Sequence, residues 1–112
     1  MSAAREFQRV PLGDGLTWMP EFRALMSARA PVSLTRREAA IFERLREARG
    51  FPVSMERLLV AVYGSDPEGG PLTAQRCVWM FLFHLRRKLR PLGLRIRTYH
   101  ALGYVLEVPP CA

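Results

Sequence analysis

The stretch CVWMFLFHLRRKLR, Cys77 to Arg90, restricts the folds open to this chain more than any other. Its first seven residues carry no charge, and it closes on Arg86, Arg87, Lys88 and Arg90. A membrane-spanning helix needs roughly 20 apolar residues, so the run is too short to cross a bilayer. At roughly 100° per residue, Val78, Leu82, Leu85 and Leu89 gather on one side of a helix as a core seam, with Phe81 at its edge. The opposite stripe is Arg76, Met80, Phe83 and Arg87. Trp79, Arg86 and Arg90 flank it on one side, Cys77 and His84 on the other. A core needs only the first set. The stretch therefore predicts a helix whose outward side carries two apolar residues between two arginines.

Charge sharpens this picture by its position. The chain of 112 residues has a formal net charge of +7 from 17 basic and 10 acidic residues. Between Gly69 and Leu106 stand Arg76, Arg86, Arg87, Lys88, Arg90, Arg95 and Arg97, with no Asp or Glu among them. The rest of the chain is balanced, so the whole excess lies in the C-terminal third. A basic run can simply be a solvated face, but segregation this complete favours a polyanionic partner, because counterion release drives binding to phosphates. Nearly all the bases are arginine, whose fork suits phosphate and guanine contacts.

Length allows one domain with a modest core. We divide it into an N-terminal extension over 1–14, a folded unit over 15–109 and a tail over 110–112. Met1 to Arg9 contains Arg5, Glu6 and Arg9 and no apolar stretch, so no signal peptide is expected. Cys77 and Cys111 make no disulfide framework, which points to a reducing, cytoplasmic setting and to no membrane partner.

Along the chain, GLTWM (15–19), FRALM (22–26) and PVSL (31–34) read as short strands of a small antiparallel sheet, punctuated by Gly13, Asp14, Gly15, Pro20 and Pro31. Thr35 with Glu38 predicts a capping box opening a first helix. Ala39, Phe42, Leu45 and Ala48 fall near helical spacing beside Ile41, and Gly50 stops it. Ser54 caps a second helix with Leu58, Leu59 and Val62 inward and Gly64 at its end. Residues 65–72 are loop by composition. Thr73 caps the third helix, which runs to about Arg90 and is ended by Pro91 and Gly93. Alternating runs over 94–98 and 104–108 form a β-hairpin. The order predicts an α+β winged helix-turn-helix: a small N-terminal antiparallel sheet, a three-helix core and a C-terminal hairpin wing, with the third helix placed to enter a DNA major groove.

Residues 16 to 108 resemble the OmpR/PhoB-type winged-helix effector domain of bacterial response regulators. The marks are LT followed by Glu38, Ser54 with LLVAVYG, Arg76-x-Val78, LRRKL at 85–89, and IRT (96–98) followed by GY (103–104). The resemblance implies a four-stranded N-terminal sheet and sequence-specific binding to promoter DNA as a transcriptional regulator, often as head-to-tail dimers on direct repeats. It also implies an RNA polymerase contact through the 64–72 loop in some members. Position by position, it places DNA contacts on Tyr63 (phosphate), on Arg76, Cys77, Met80, Phe81, Phe83, His84 and Arg86 of the helix, and on Thr98 and His100 of the wing. Arg87, Arg90 and Arg97 join them through the charge pattern. This chain departs from the family's usual polar helix at Trp79, Phe81 and Phe83, and from its usual wing at His100 and Ala101. The resemblance therefore carries over phosphate anchoring by Arg76, Arg86, Arg87 and Arg90, but not base readout by several arginines. A receiver domain does not fit in 112 residues, so a stand-alone regulator is expected and control by phosphorylation is not implied.

Three roles stay open for Trp79, Met80 and Phe83: packing beneath the N-terminal sheet or the 65–72 loop, contact with thymine methyls and sugars, or contact with protein. The last defines a second functional reading, a winged helix used for self-dimerisation or for binding RNA polymerase or another regulator. His84 and His100 lie in different elements without ligand spacing for a metal, and Cys77 reads as a small half-buried packing residue. GDG and EGG lack the strand–loop–helix setting of phosphate-cradling loops, and no Ser–His–acid arrangement is present. No cofactor and no enzymatic activity are expected.

Overall fold

The computed structural model describes residues 7–108. Strands β1 (Val10–Gly13), β2 (Leu16–Met19), β3 (Ala24–Met26) and β4 (Val32–Ser33) make an antiparallel sheet in sequential order. Helices α1 (Arg36–Glu47), α2 (Met55–Tyr63) and α3 (Ala74–Leu89) follow, then the hairpin of β5 (Arg95–Tyr99) and β6 (Gly103–Glu107). This is the winged helix-turn-helix expected from the sequence.

Several boundaries differ. Strand β1 lies inside the 1–14 stretch set aside as an extension, pairs with β2 and places Leu12 in the core. Phe22 is not in a strand: Pro20–Phe22 form a single 3-10 turn, and Arg23 takes a left-handed φ of 49° before β3 begins. Strand β4 keeps only Val32 and Ser33 of the PVSL run, although Leu34 N–H still donates to Arg23 C=O at 2.8 Å and extends the ladder. Leu59 is only half-buried, while Tyr63 takes a core position beside Leu58 and Val62. The residues at 109–112, including Cys111, lie outside the described region.

The sheet docks on α1 through Trp18. Alternation along β2 turns Leu16 and Trp18 inward, and Trp18 is fully buried against the Phe42 ring, 4.7 Å between centroids. A buried indole must satisfy its N–H, and Trp18 Nε1 donates to Glu43 Oε1 at 2.8 Å. Helix α1 starts with the expected capping box: Glu38 N–H donates to Thr35 Oγ1, and Thr35 N–H donates to Glu38 Oε1 at 2.8 Å. Helix α2 starts on Ser54, whose hydroxyl accepts from Arg57 N–H. Thr73 precedes α3 but makes no capping bond, because its ψ of 24° turns the hydroxyl away from the next turn. Its Oγ1 faces Cys77 Sγ at 3.8 Å instead.

Helix α3 is held by its seam. Val78, Leu82, Leu85 and Leu89 are at most 1% exposed, and burying each of them stabilises the fold by about 1.5–3 kcal/mol on transfer grounds. Pro91, without an N–H, and Gly93, with φ 82°, then convert the helix into a short 3-10 turn leading to β5.

Lys88 belongs to this framework and not to the outward basic face. Its Nζ donates to Glu38 Oε1 at 2.7 Å and to Ser33 C=O at 3.0 Å, so one ammonium joins α3, α1 and β4. Glu38 is 4% exposed. Burial alone raises its carboxyl pKa, but the Lys88 ammonium and the Thr35 N–H outweigh that and hold it below the ordinary value. A depressed folded value means that the stabilisation is complete above the unfolded carboxyl pKa of roughly 4.3 and is lost as pH falls through the lower folded value. Glu38→Gln keeps an acceptor for Thr35 N–H but loses the charge. It is expected to lower unfolding free energy at pH 7 by about 1–2 kcal/mol in urea titrations. It should also flatten the loss of stability on acidification below roughly pH 4.3.

Candidate nucleic-acid interface

Because the seam side of α3 is buried, the opposite side is turned outward. Arg76, Met80, Phe83, His84 and Arg87 are all exposed. Trp79, Met80 and Phe83 are 51%, 53% and 56% exposed, which overturns the reading that packs them beneath the sheet or the 65–72 loop. The core is already filled by Trp18, Phe42 and the α3 leucines and has no place for them. Phe81 is half-buried and packs against the core, at the edge of the seam as its helical position implies.

The wing is fixed beside this face. Val53, in the connection between α1 and α2, pairs with Tyr104 of β6: Val53 N–H donates to Tyr104 C=O and Tyr104 N–H to Val53 C=O, both at 2.9 Å. Gly103 permits that approach. Its φ of 130° is foreign to side-chain-bearing residues, and a Cβ there would strike the Val53 carbonyl. Helix α3 holds the wing from the other side. Arg86 Nε donates to Ile96 C=O at 3.1 Å, its Nη2 donates to Thr98 Oγ1 at 2.8 Å, and the guanidinium lies 6.0 Å from the Tyr104 ring centre. Trp79 Nε1 donates to Tyr104 Oη at 3.2 Å. Arg86, expected as a phosphate anchor, thus directs Nε and Nη2 to the wing, and Thr98 accepts from it.

The remaining arginines divide into two groups. Arg97 is bound to Glu107, Nε to Oε2 at 3.0 Å, with both side chains partly exposed. Arg76, Arg87, Arg90 and Arg95 make no ion pair among the described residues. Arg87 lies over the Phe83 ring, 5.8 Å from its centre. Where α3 ends and the wing begins, Arg86, Arg90, Arg95 and Arg97 line an open groove of about 320 Å³ floored by Leu94 and Ile96. Arg95 is absent from the residues expected at sequence level. Its signal is strand alternation, since Ile96 points inward and Arg95 and Arg97 share the outer face.

Other expected residues sit less centrally. Tyr63 is 5% exposed, with the Arg37 guanidinium 4.6 Å from its ring centre. Burial, and then hydrogen bonding with the Cys77 thiol, push its hydroxyl above the ordinary pKa. Tyr63 is therefore a core residue, not a member of the outward basic face. Gly70, with φ 88°, lies so close that a Cβ there would meet the Tyr63 ring, and this ties the 64–72 loop to α2. Cys77 is half-buried and packs against the core as expected. His84 stands edge-on to Phe83, 5.5 Å between ring centres. His100 is exposed at the wing turn, followed by Ala101 at a left-handed φ of 66°. Among the described residues no helix is long and apolar enough to cross a membrane.

Comparison with known proteins places this geometry. Residues 29–106 match the family model described as "Transcriptional regulatory protein, C terminal". The transcriptional regulatory protein TctD of Salmonella typhimurium is 36% identical over 77 residues, covering 69% of this chain and 33% of TctD. The chain thus spans about a third of the length of the curated relatives it matches. Among solved structures, the C-terminal domain of the nisin resistance regulator NsrR is 28% identical with a TM-score of 0.70, covering 87% of this chain and 96% of that one. The Klebsiella pneumoniae RstA DNA-binding domain, solved in complex with the RstA box, is 25% identical with a TM-score of 0.67, covering 88% and 95%. The DNA-binding domain of E. coli CadC is 20% identical and shares the fold with a TM-score of 0.75, covering 93% and 96%. The chain belongs to the family of transcriptional regulatory protein C-terminal domains, the winged-helix effector type.

Proposed function

We propose that the chain is a DNA-binding transcriptional regulator that lays α3 in the major groove and clamps the backbone with Arg76, Arg87, Arg90 and Arg95. The carrying observation is that Arg76, Arg87, Arg90 and Arg95 are exposed on α3 and at the base of the wing, none of them ion-paired among the described residues, with Arg90 and Arg95 lining one open groove. Phosphate recognition needs forked donors available to solvent, and an open arginine-lined groove suits a backbone phosphate. The family membership and the DNA complex of RstA support the same reading. Arg97, Thr98 and His100 of the wing reach the flanking backbone, and His84 joins the helix contacts. Arg86 acts by positioning the wing, and Tyr63 and Cys77 act by packing.

A second reading gives the same protein a partner contact. Trp79, Met80 and Phe83 are each more than half exposed, and a contiguous exposed apolar patch marks an interface, here with a second copy or another regulator. On this reading the 64–72 loop would be the contact for RNA polymerase, and a second copy on a neighbouring half-site is compatible with a domain of this type.

Phosphate anchors and the positioning residue separate experimentally. Replacing Arg76, Arg87 or Arg90 by Ala is expected to weaken binding to all duplex sequences alike. Each replacement should reduce the slope of log K against log salt by about 1 in fluorescence-anisotropy titrations. Loss of sequence preference with an unchanged slope would contradict anchoring. Arg86→Met is expected to speed hydrogen exchange of the β5–β6 amides by roughly tenfold, as the wing loses its bonds to α3. Unchanged exchange would show that Arg86 does not hold the wing.

A further inference from the structure

The centre of the outward α3 face is poor in hydrogen-bonding groups, with the exposed His84 imidazole standing at its edge beside Phe83. Met80 and Phe83 are more than half exposed and carry no N–H or O–H donor. Trp79 has a single N–H, and Tyr104 Oη accepts it. Arg76 precedes this apolar island and Arg87 follows it, both outside any ion pair among the described residues. These flanking charges select what covers the island. A folded protein partner would have to bring carboxylates to the two ends of the stripe and to the arginine groove beside the wing, whereas a duplex presents phosphates along both rims of its major groove.

Resting on the DNA-binding reading above, we infer that Met80 and Phe83 read thymine methyl groups, so that the site is specified by adjacent T·A pairs and not by arginine–guanine contacts. Major-groove edges are otherwise donors and acceptors, and the C5 methyl of thymine is their one apolar feature. Pressing Met80 and Phe83 against guanine or cytosine edges would strip those edges of water and return no hydrogen bond, which is unfavourable. Against a methyl the same contact is favourable, because apolar surface leaves water on both sides. The spacing suits neighbouring pairs: Met80 and Phe83 are roughly 4.5 Å apart along the helix axis, against a base rise of about 3.4 Å. Arg87, over the Phe83 ring, holds one end of this reader while remaining available to a phosphate.

The test uses the 112-residue chain. Duplexes it retains from a random pool at low salt give the preferred site, which is then synthesised with uracil in place of thymine. Uracil keeps every hydrogen-bonding group of the A·T pair and lacks only the methyl. Wild-type protein is expected to bind the uracil duplex about fourfold more weakly for each methyl in contact. The Met80→Ala, Phe83→Ala double variant, whose fold is checked by its thermal unfolding, is expected to bind both duplexes equally. Equal binding of both duplexes by wild-type protein overturns the inference and leaves DNA binding intact. So does a double variant that still discriminates, or one that keeps full DNA affinity while losing self-association in sedimentation. A pool from which no duplex is retained removes the inference together with the reading beneath it.

Discussion

The seam of Val78, Leu82, Leu85 and Leu89 fixes the rotation of α3, and almost every functional feature depends on that rotation. All four are buried to within 1%. Turning the helix by one residue, roughly 100°, would expose leucine and carry arginine into the core, where an unpaired charge is prohibitively costly. The opposite stripe is therefore held outward by the hydrophobic effect acting on the other side of the helix. Surface chemistry at Arg76, Met80, Phe83 and Arg87 is in this sense set by residues that never meet a partner.

The wing stands beside α3 and broadens the outward surface on which the arginines lie. The hairpin is attached twice: to the α1–α2 connection by the Val53–Tyr104 bridge, and to α3 by Arg86 and Trp79. This divides the basic residues by task. Lys88 secures α3 to Glu38 and Ser33, Arg86 secures the wing, and Arg97 is shared with Glu107. Arg76, Arg87, Arg90 and Arg95 make no ion pair among the described residues. Part of the basic charge in the C-terminal third therefore works as internal fastening.

Much of this was legible in the sequence because local rules governed it. The capping box at Thr35, the cap at Ser54, the seam of α3, the Pro91–Gly93 stop and the alternation of the hairpin each follow from a few neighbouring residues. The N-terminal sheet was less legible, since β1 and the 3-10 turn at Pro20–Phe22 depend on partners along the sheet more than on local pattern. Hydrogen bonds between distant residues were not visible at all. Nothing near Trp18 announces Glu43, and nothing near Arg86 announces the Ile96 carbonyl. Nor was the burial of Tyr63 visible, whose ring is covered by Arg37 of α1 and by Gly70 of the following loop. Charge counting located the basic region but could not tell an arginine that binds from one that braces.

On the proposed function, α3 and the wing together present one continuous surface to nucleic-acid backbone. The most direct measurement is a titration of isotopically labelled protein with duplex DNA, followed by amide and arginine side-chain chemical shifts. Shifts confined to the outward residues of α3 around Arg76, Phe83 and Arg87, the Arg90–Arg95 groove and the wing turn at His100 are expected. Perturbations centred on the β1–β4 sheet or the exposed side of α2, or none at low salt, would contradict it.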